Sequence, residues 1–128
     1  MTSEEWHDIM TLLTVVILAD KRVYKEEVDT FVGTVKSLND NISPEIFITE
    51  GMAFEWFKSN RTRVNNLLVG PNVQNNIEQL IANTANVPGK IHIIDAMKKI
   101  AQADSDFHKN EQNVIRRTAS GWGVSRAA

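Results

Sequence analysis

The sequence predicts an all-α fold of about seven helices, and three observations carry the prediction. Apolar residues recur at spacings of three and four through most of the chain, as a helix buried along one face requires. No segment of useful length alternates with the period of two that a half-buried strand needs. Between the stripes fall clusters of turn formers, among them Asn39-Asp40-Asn41, Gly70-Pro71 and Pro88-Gly89, at intervals that suit helix-to-helix connections. The third observation is a motif written twice. Ala19-Asp20 with Glu27 follows one apolar helix pattern, and Ala103-Asp104 with Glu111 follows another, at a constant offset of 84 residues. At that offset Val16 meets Ile100, Val23 meets Phe107, Lys25 meets Lys109 and Phe31 meets Ile115, so an internal duplication is the simplest account.

Each element has its own justification. Trp6, Ile9, Met10, Leu13, Val16 and Ile17 form the stripe of a first helix that ends near Asp20. Val28, Phe31, Val32, Val35 and Leu38 describe a second, stopped by Asn39-Asp40-Asn41 and antiparallel to the first. Ser43-Pro44 reads as the start of a third, since a hydroxyl caps free N–H groups and proline at the first helical position lacks the N–H that would be orphaned. Its aromatics, with Ile46, Phe47, Phe54, Trp56 and Phe57, suit a central helix.

Asn60 is placed to cap a short fourth helix through Val64, Leu67 and Leu68, which Gly70-Pro71 ends. Val73, Ile77, Leu80 and Ile81 mark a fifth, to about Ala85. Ile91, Ile94, Met97, Ile100 and Ala101 form the helix before the second motif, and Val114, Ile115, Thr118 and Trp122 the one after it. Trp6, Leu13, Phe31, Ile94, Ile100, Phe107 and Ile115 lie on the inner stripes and should be core.

Composition bounds the function. A chain of 128 residues with 42% hydrophobic content fits one domain with a single core. A net charge of -2 gives no global electrostatic reason to bind nucleic acid or an anionic membrane, because counterion release needs a positive face. The absence of Cys removes thiol nucleophiles, disulfides and Cys-ligated zinc, and fits a cytoplasmic protein. Met1 to Asp8 is polar and acidic, and the apolar run Leu12 to Ala19 is too short to span a bilayer, so no export or membrane segment is expected.

The duplicated acidic turns are the best candidate for a site. The segment from Met97 through Ala103-Asp104-Ser105-Asp106-Phe107 to Glu111, closing at Trp122-Gly123-Val124, resembles the signature of the tellurite-resistance TerB-like family: an apolar helix, then Ala-Asp-Gly-acidic-apolar, then a helix opening with Glu and a Trp-Gly close. The first copy, Ala19-Asp20-Lys21-Arg22-Val23-Tyr24-Lys25-Glu26-Glu27, is similar to that family's other repeat. The resemblance covers both hairpins, about 3–38 and 89–123, and implies a single TerB-like helical domain over 1–128. It also implies bacterial stress-response or tellurite-resistance roles and a divalent-metal site at the acidic turns.

The residues depart from that pattern at the site itself. Ser105 stands where the family has Gly, and Lys21 and Arg22 stand where it has Gly and an acid. Calcium or magnesium takes several oxygen ligands, which Asp104, Asp106 and Glu111 with Asp20 and Glu27 would supply. If the turns converge, a like pair of carboxylates at about 4 Å repels by roughly 4 kcal/mol at an effective dielectric near 20. Either a divalent ion or the side chains of Lys21 and Arg22 would neutralise them. A structural reading of the same residues comes first: Glu27 follows Tyr24 by three and Glu111 follows His108 by three, so each suits the third position of a capping box. Asp104 and Asp106 would close the turn by side-chain to backbone bonds, each cap being worth roughly 1 kcal/mol.

Other chemistry finds little support. His7, His92 and His108 are scattered without the i, i+4 pairing and intervening Glu of a zinc hydrolase helix, and no glycine-rich phosphate loop is present. The expectation is therefore not an enzyme. Ile115 to Ala119 followed by Gly123-Val124-Ser125-Arg126 resembles the turn before a DNA-recognition helix, but only three residues follow Ser125, where a recognition helix needs roughly three turns. Lys98, Lys99, Arg116 and Arg117 read as a solvated basic face. The expected partner is a protein, and the rival function is an interaction or scaffold domain without a metal.

Overall fold

The structure is a computed structural model and describes residues 1–19, 23, 25–103 and 109–124. Among them the chain forms six α-helices and no strand: α1 (Ser3–Leu18), α2 (Lys25–Ile42), α3 (Glu50–Leu67), α4 (Val73–Asn83), α5 (Lys90–Ala101) and α6 (Lys109–Trp122).

Helix α1 opens with a complete capping box. The Thr2 hydroxyl accepts from Glu5 N–H at 3.1 Å and the Glu5 carboxylate accepts from Thr2 N–H at 2.8 Å. From Ile9 to Leu18 every residue is buried, because Leu12, Val15 and Leu18 add an apolar face to the predicted stripe. A helix apolar all round belongs in the middle of a bundle. Helix α1 accordingly packs against all five others. Its two buried threonines satisfy their hydroxyls on the helix itself, Thr11 on the His7 carbonyl and Thr14 on the Met10 carbonyl, both at 2.8 Å.

Helix α2 buries Phe31, Val35 and Leu38, as its stripe predicts, but runs on to Ile42 through the Asn39-Asp40-Asn41 cluster. Asn39 explains the difference. Its side chain is buried and donates to the Ser43 carbonyl at 3.0 Å and to the Ile46 carbonyl, while its Oδ1 accepts from Ile48 N–H at 3.1 Å. These bonds hold residues 43–48 as a loop, so Ser43-Pro44 is a turn rather than a helix start. Helix α3 begins instead at Glu50, capped by the Thr49 hydroxyl, which accepts from Met52 N–H at 3.1 Å.

The expected break at Asn60 is also absent. Asn60 donates back to the Trp56 carbonyl at 2.9 Å, a bond made inside a continuous helix, so two predicted helices are one and the count is six. Nor is α3 the central helix. It buries only Ala53, Phe57 and Val64, with Phe54 exposed beneath Lys58 and Phe47 75% exposed in the loop before it. The ring of Phe31 anchors α3 to α2, lying 6.3 Å from Trp56 and 5.6 Å from Phe57 between centroids.

Helices α1 and α5 pack together, and α2 and α6 each pack against both. Gly89, in the left-handed region at φ 71°, opens α5, and Gly123 at φ 72° closes α6, with Val124 N–H returning to the Ala119 carbonyl at 2.8 Å. Buried Trp122 binds α6 to the end of α4, its Nε1 donating to the Ile81 carbonyl at 3.1 Å and to Thr84 Oγ1 at 3.2 Å. The expected core residues Trp6, Leu13, Phe31, Ile94, Ile100 and Ile115 are all buried, and Phe107 lies outside the described residues.

Candidate functional site

The two acidic motifs each deliver a glutamate to the first turn of a helix. Helix α2 reads Lys25-Glu26-Glu27 and helix α6 reads Lys109-Asn110-Glu111, so both glutamates are third residues. That position lies beside free N–H groups and the positive end of the helix dipole, where a carboxylate is favoured. Glu5 occupies the same position in α1 and remains half-buried. Glu27 and Glu111 are different: both are 0% exposed. An ionised carboxylate taken out of water must be met by partners, and both are engaged in polar or electrostatic interactions. Glu26, one residue earlier, is exposed, and Lys25 spends its charge outside the turn on Asp29 at 2.9 Å, which raises the Lys25 pKa.

Asp20, Asp104 and Asp106 lie outside the described residues, as do Lys21, Arg22, Tyr24 and His108, the expected counter-charges and cap residues. The described flanks of the two turns are held together. Asn110, the second residue of α6, donates through Nδ2 to the carbonyl of Ala19 at 3.3 Å. This bond ties the start of α6 to the residue that caps the end of α1 and immediately precedes Asp20. Sequence reasoning passed over Asn110. Its signal was a break in the repeat, since the position 84 residues earlier is Glu26.

The other candidates separate in space. His7 accepts a hydrogen bond at Nδ1 from Trp56 Nε1 at 3.2 Å, which ties α1 to α3. Arg117 is turned onto α4, against Gln74 and Glu78, rather than presented as part of a free basic face. Among the described residues no three His, Cys, Asp or Glu side chains gather as a metal-holding group, a statement that leaves three of the five candidate ligands untouched.

A model of the family described as tellurite resistance protein TerB matches residues 7–128. The chain belongs to the TerB family. The matched region of this TerB domain takes in both acidic motifs and all six helices from the second turn of α1 onward. Comparison with curated proteins and with solved structures gives no match. No described helix of the TerB domain is long and apolar enough to cross a membrane.

Proposed function

We propose that this TerB domain is a non-enzymatic binding module of a tellurite- or stress-response system, and that its working centre lies where α2 and α6 begin. The observation that carries the reading is the complete burial of Glu27 and Glu111 at a position where Glu5, a simple cap, stays partly in water. Capping alone needs no such withdrawal from solvent, and a buried carboxylate calls for a cation or several hydrogen-bond donors. Asp20, Asp104 and Asp106 are the neighbours in sequence that would complete an oxygen-rich site for calcium or magnesium with Glu27 and Glu111. Lys21 and Arg22 are built into the first turn and would oppose a divalent ion by supplying the positive charge themselves. The expectation is therefore weak or absent divalent binding, with Asp104, Asp106 and Glu111 as ligands where an ion does bind.

Calorimetric titration with calcium, magnesium and manganese tests this. Replacing Lys21 by Gly and Arg22 by Glu should strengthen binding by at least about tenfold, since it removes two like charges from the centre. No change would show that these side chains point elsewhere. Sub-micromolar binding that survives Asp20→Asn and vanishes in Asp104→Asn would refute the counter-charge account and assign a site to the second turn alone. A second reading, a protein-interaction domain without an ion, is favoured by Phe47, Met52 and Phe54, three large apolar side chains exposed around the start of α3.

A further inference from the structure

We propose that the cleft between the end of α1, the end of α3, α4 and α6 is a binding site for a small amphiphilic monocarboxylate. The cleft has a volume of about 370 Å³, within the range of small-molecule sites. At about 30 Å³ per water-sized group it holds on the order of a dozen non-hydrogen atoms. One wall is apolar, formed by Leu18, Leu68, Val73 and Ile77. Val69, 53% exposed, stands among the lining residues at the turn that ends α3.

The other side is polar and carries Gln74, Asn113 and Arg117. Arg117 is the single charged residue among the described lining residues. Its guanidinium is held in place by α4: Nη1 donates to Gln74 Oε1, and Nη2 donates to the Gln74 carbonyl at 3.3 Å and to Glu78 Oε1 at 3.4 Å. A guanidinium has five N–H donors. Nε–H and one Nη1–H remain without a partner among the described residues. A fixed guanidinium with spare donors, set beside an apolar wall, selects a carboxylate carrying an apolar tail.

Charge narrows the ligand further. Glu78 belongs to the solvent side of Arg117 and is not part of the lining, so it neutralises the guanidinium only in part. One partly neutralised cation matches one negative charge. A phosphate dianion would lack a second cation, and an ammonium group would meet Arg117 with like charge. The inference concerns a different place from the acidic centre and does not depend on whether that centre binds a cation.

Hexanoate, hexanol and hexylammonium are the probes, each titrated into the isotope-labelled full chain and followed by amide resonances. Hexanoate should give saturable shifts centred on Val69, Val73, Asn113 and Arg117, hexanol should bind about tenfold more weakly, and hexylammonium not at all. R117Q should weaken hexanoate by about tenfold, and E78Q should strengthen it by about threefold, because Glu78 competes for the same guanidinium. V69D leaves the Arg117 contacts intact and sets a negative charge at the cleft, so it should abolish hexanoate binding. Shifts that do not saturate or spread over the whole surface would overturn the proposal. So would equal binding of hexylammonium, wild-type affinity in R117Q or V69D, or a weaker affinity in E78Q.

Discussion

Glu27 and Glu111 stand 84 residues apart in the chain and occupy the same place in their helices, each the third residue and each wholly withdrawn from solvent. Removing either leaves its partners buried without a carboxylate, which is the costly way to break a buried polar arrangement. Glu27→Ala and Glu111→Ala should each destabilise by about 3 to 5 kcal/mol, whereas exposed Glu26→Ala should stay within about 0.5 kcal/mol. Urea denaturation of the three variants decides it. A loss below about 1 kcal/mol at both buried positions would reduce these glutamates to ordinary caps.

Much of this was legible in the sequence, because its two strongest signals are periodic. The 3.6-residue stripes placed α1, α2, α4, α5 and α6 and most of the core, and the 84-residue repeat pointed to Glu27 and Glu111. The failures fall where a local signal was overruled by a tertiary bond. Asn39 reads as a helix breaker, yet it is buried and spends its amide on the following loop, which moves the start of α3 from Pro44 to Glu50. Asn60 reads as a cap and instead bonds back inside its helix. The aromatics of α3 read as core, but hydrophobicity alone does not say which aromatic faces in, and Phe54 faces out while Phe57 faces in. The bond from Asn110 to Ala19 joins residues 91 positions apart, beyond the reach of any local pattern.

The Asn39 network yields a prediction with a built-in control. Asn39→Ala would strip partners from the carbonyls of Ser43 and Ile46 and from Ile48 N–H, and should cost about 3 kcal/mol. Asn39→Asp keeps the size and the acceptor for Ile48 but faces the two carbonyls with a carboxylate. It should be at least as destabilising as Ala at neutral pH in thermal denaturation. An Asp variant as stable as wild type would mean the amide donors contribute nothing.

Acid should act on the same loop through Glu45. Its pKa is lowered, first by the hydrogen bond from the Ser43 hydroxyl, then by a backbone hydrogen bond and the nearby N-terminal ammonium. The folded state thus binds this proton less tightly than the unfolded chain. The resulting stabilisation is present above the ordinary glutamate range near pH 4.5 and is lost as pH falls through the lowered folded value. The difference in melting temperature between wild type and Glu45→Gln should therefore shrink as pH drops from about 6 to about 3. A difference that holds constant or widens in acid would show that Glu45 gains nothing from Ser43.

Two helical glycines should respond to the same substitution in opposite directions. Gly33 lies in the interior of α2, and a Cβ added there meets nothing within 4 Å. Alanine would remove the excess backbone freedom of glycine from the unfolded chain without a clash, so Gly33→Ala should stabilise by about 0.5 to 1 kcal/mol. Gly121 lies in α6 where it crosses α4, and a Cβ there would sit 2.6 Å from Cγ2 of Ile81. Ile81 is itself buried, and its carbonyl receives the Trp122 indole, so it has little room to retreat. The helix-propensity gain at Gly121 is thus set against overpacking of about 1 to 3 kcal/mol, and Gly121→Ala should be net destabilising. The pair Gly121→Ala with Ile81→Val isolates the cause, since shortening Ile81 clears part of the space. Equilibrium urea unfolding of the four proteins in that cycle should show the double variant losing less than the sum of the singles. Simple additivity would mean that α4 and α6 do not meet at Gly121 as the structure places them.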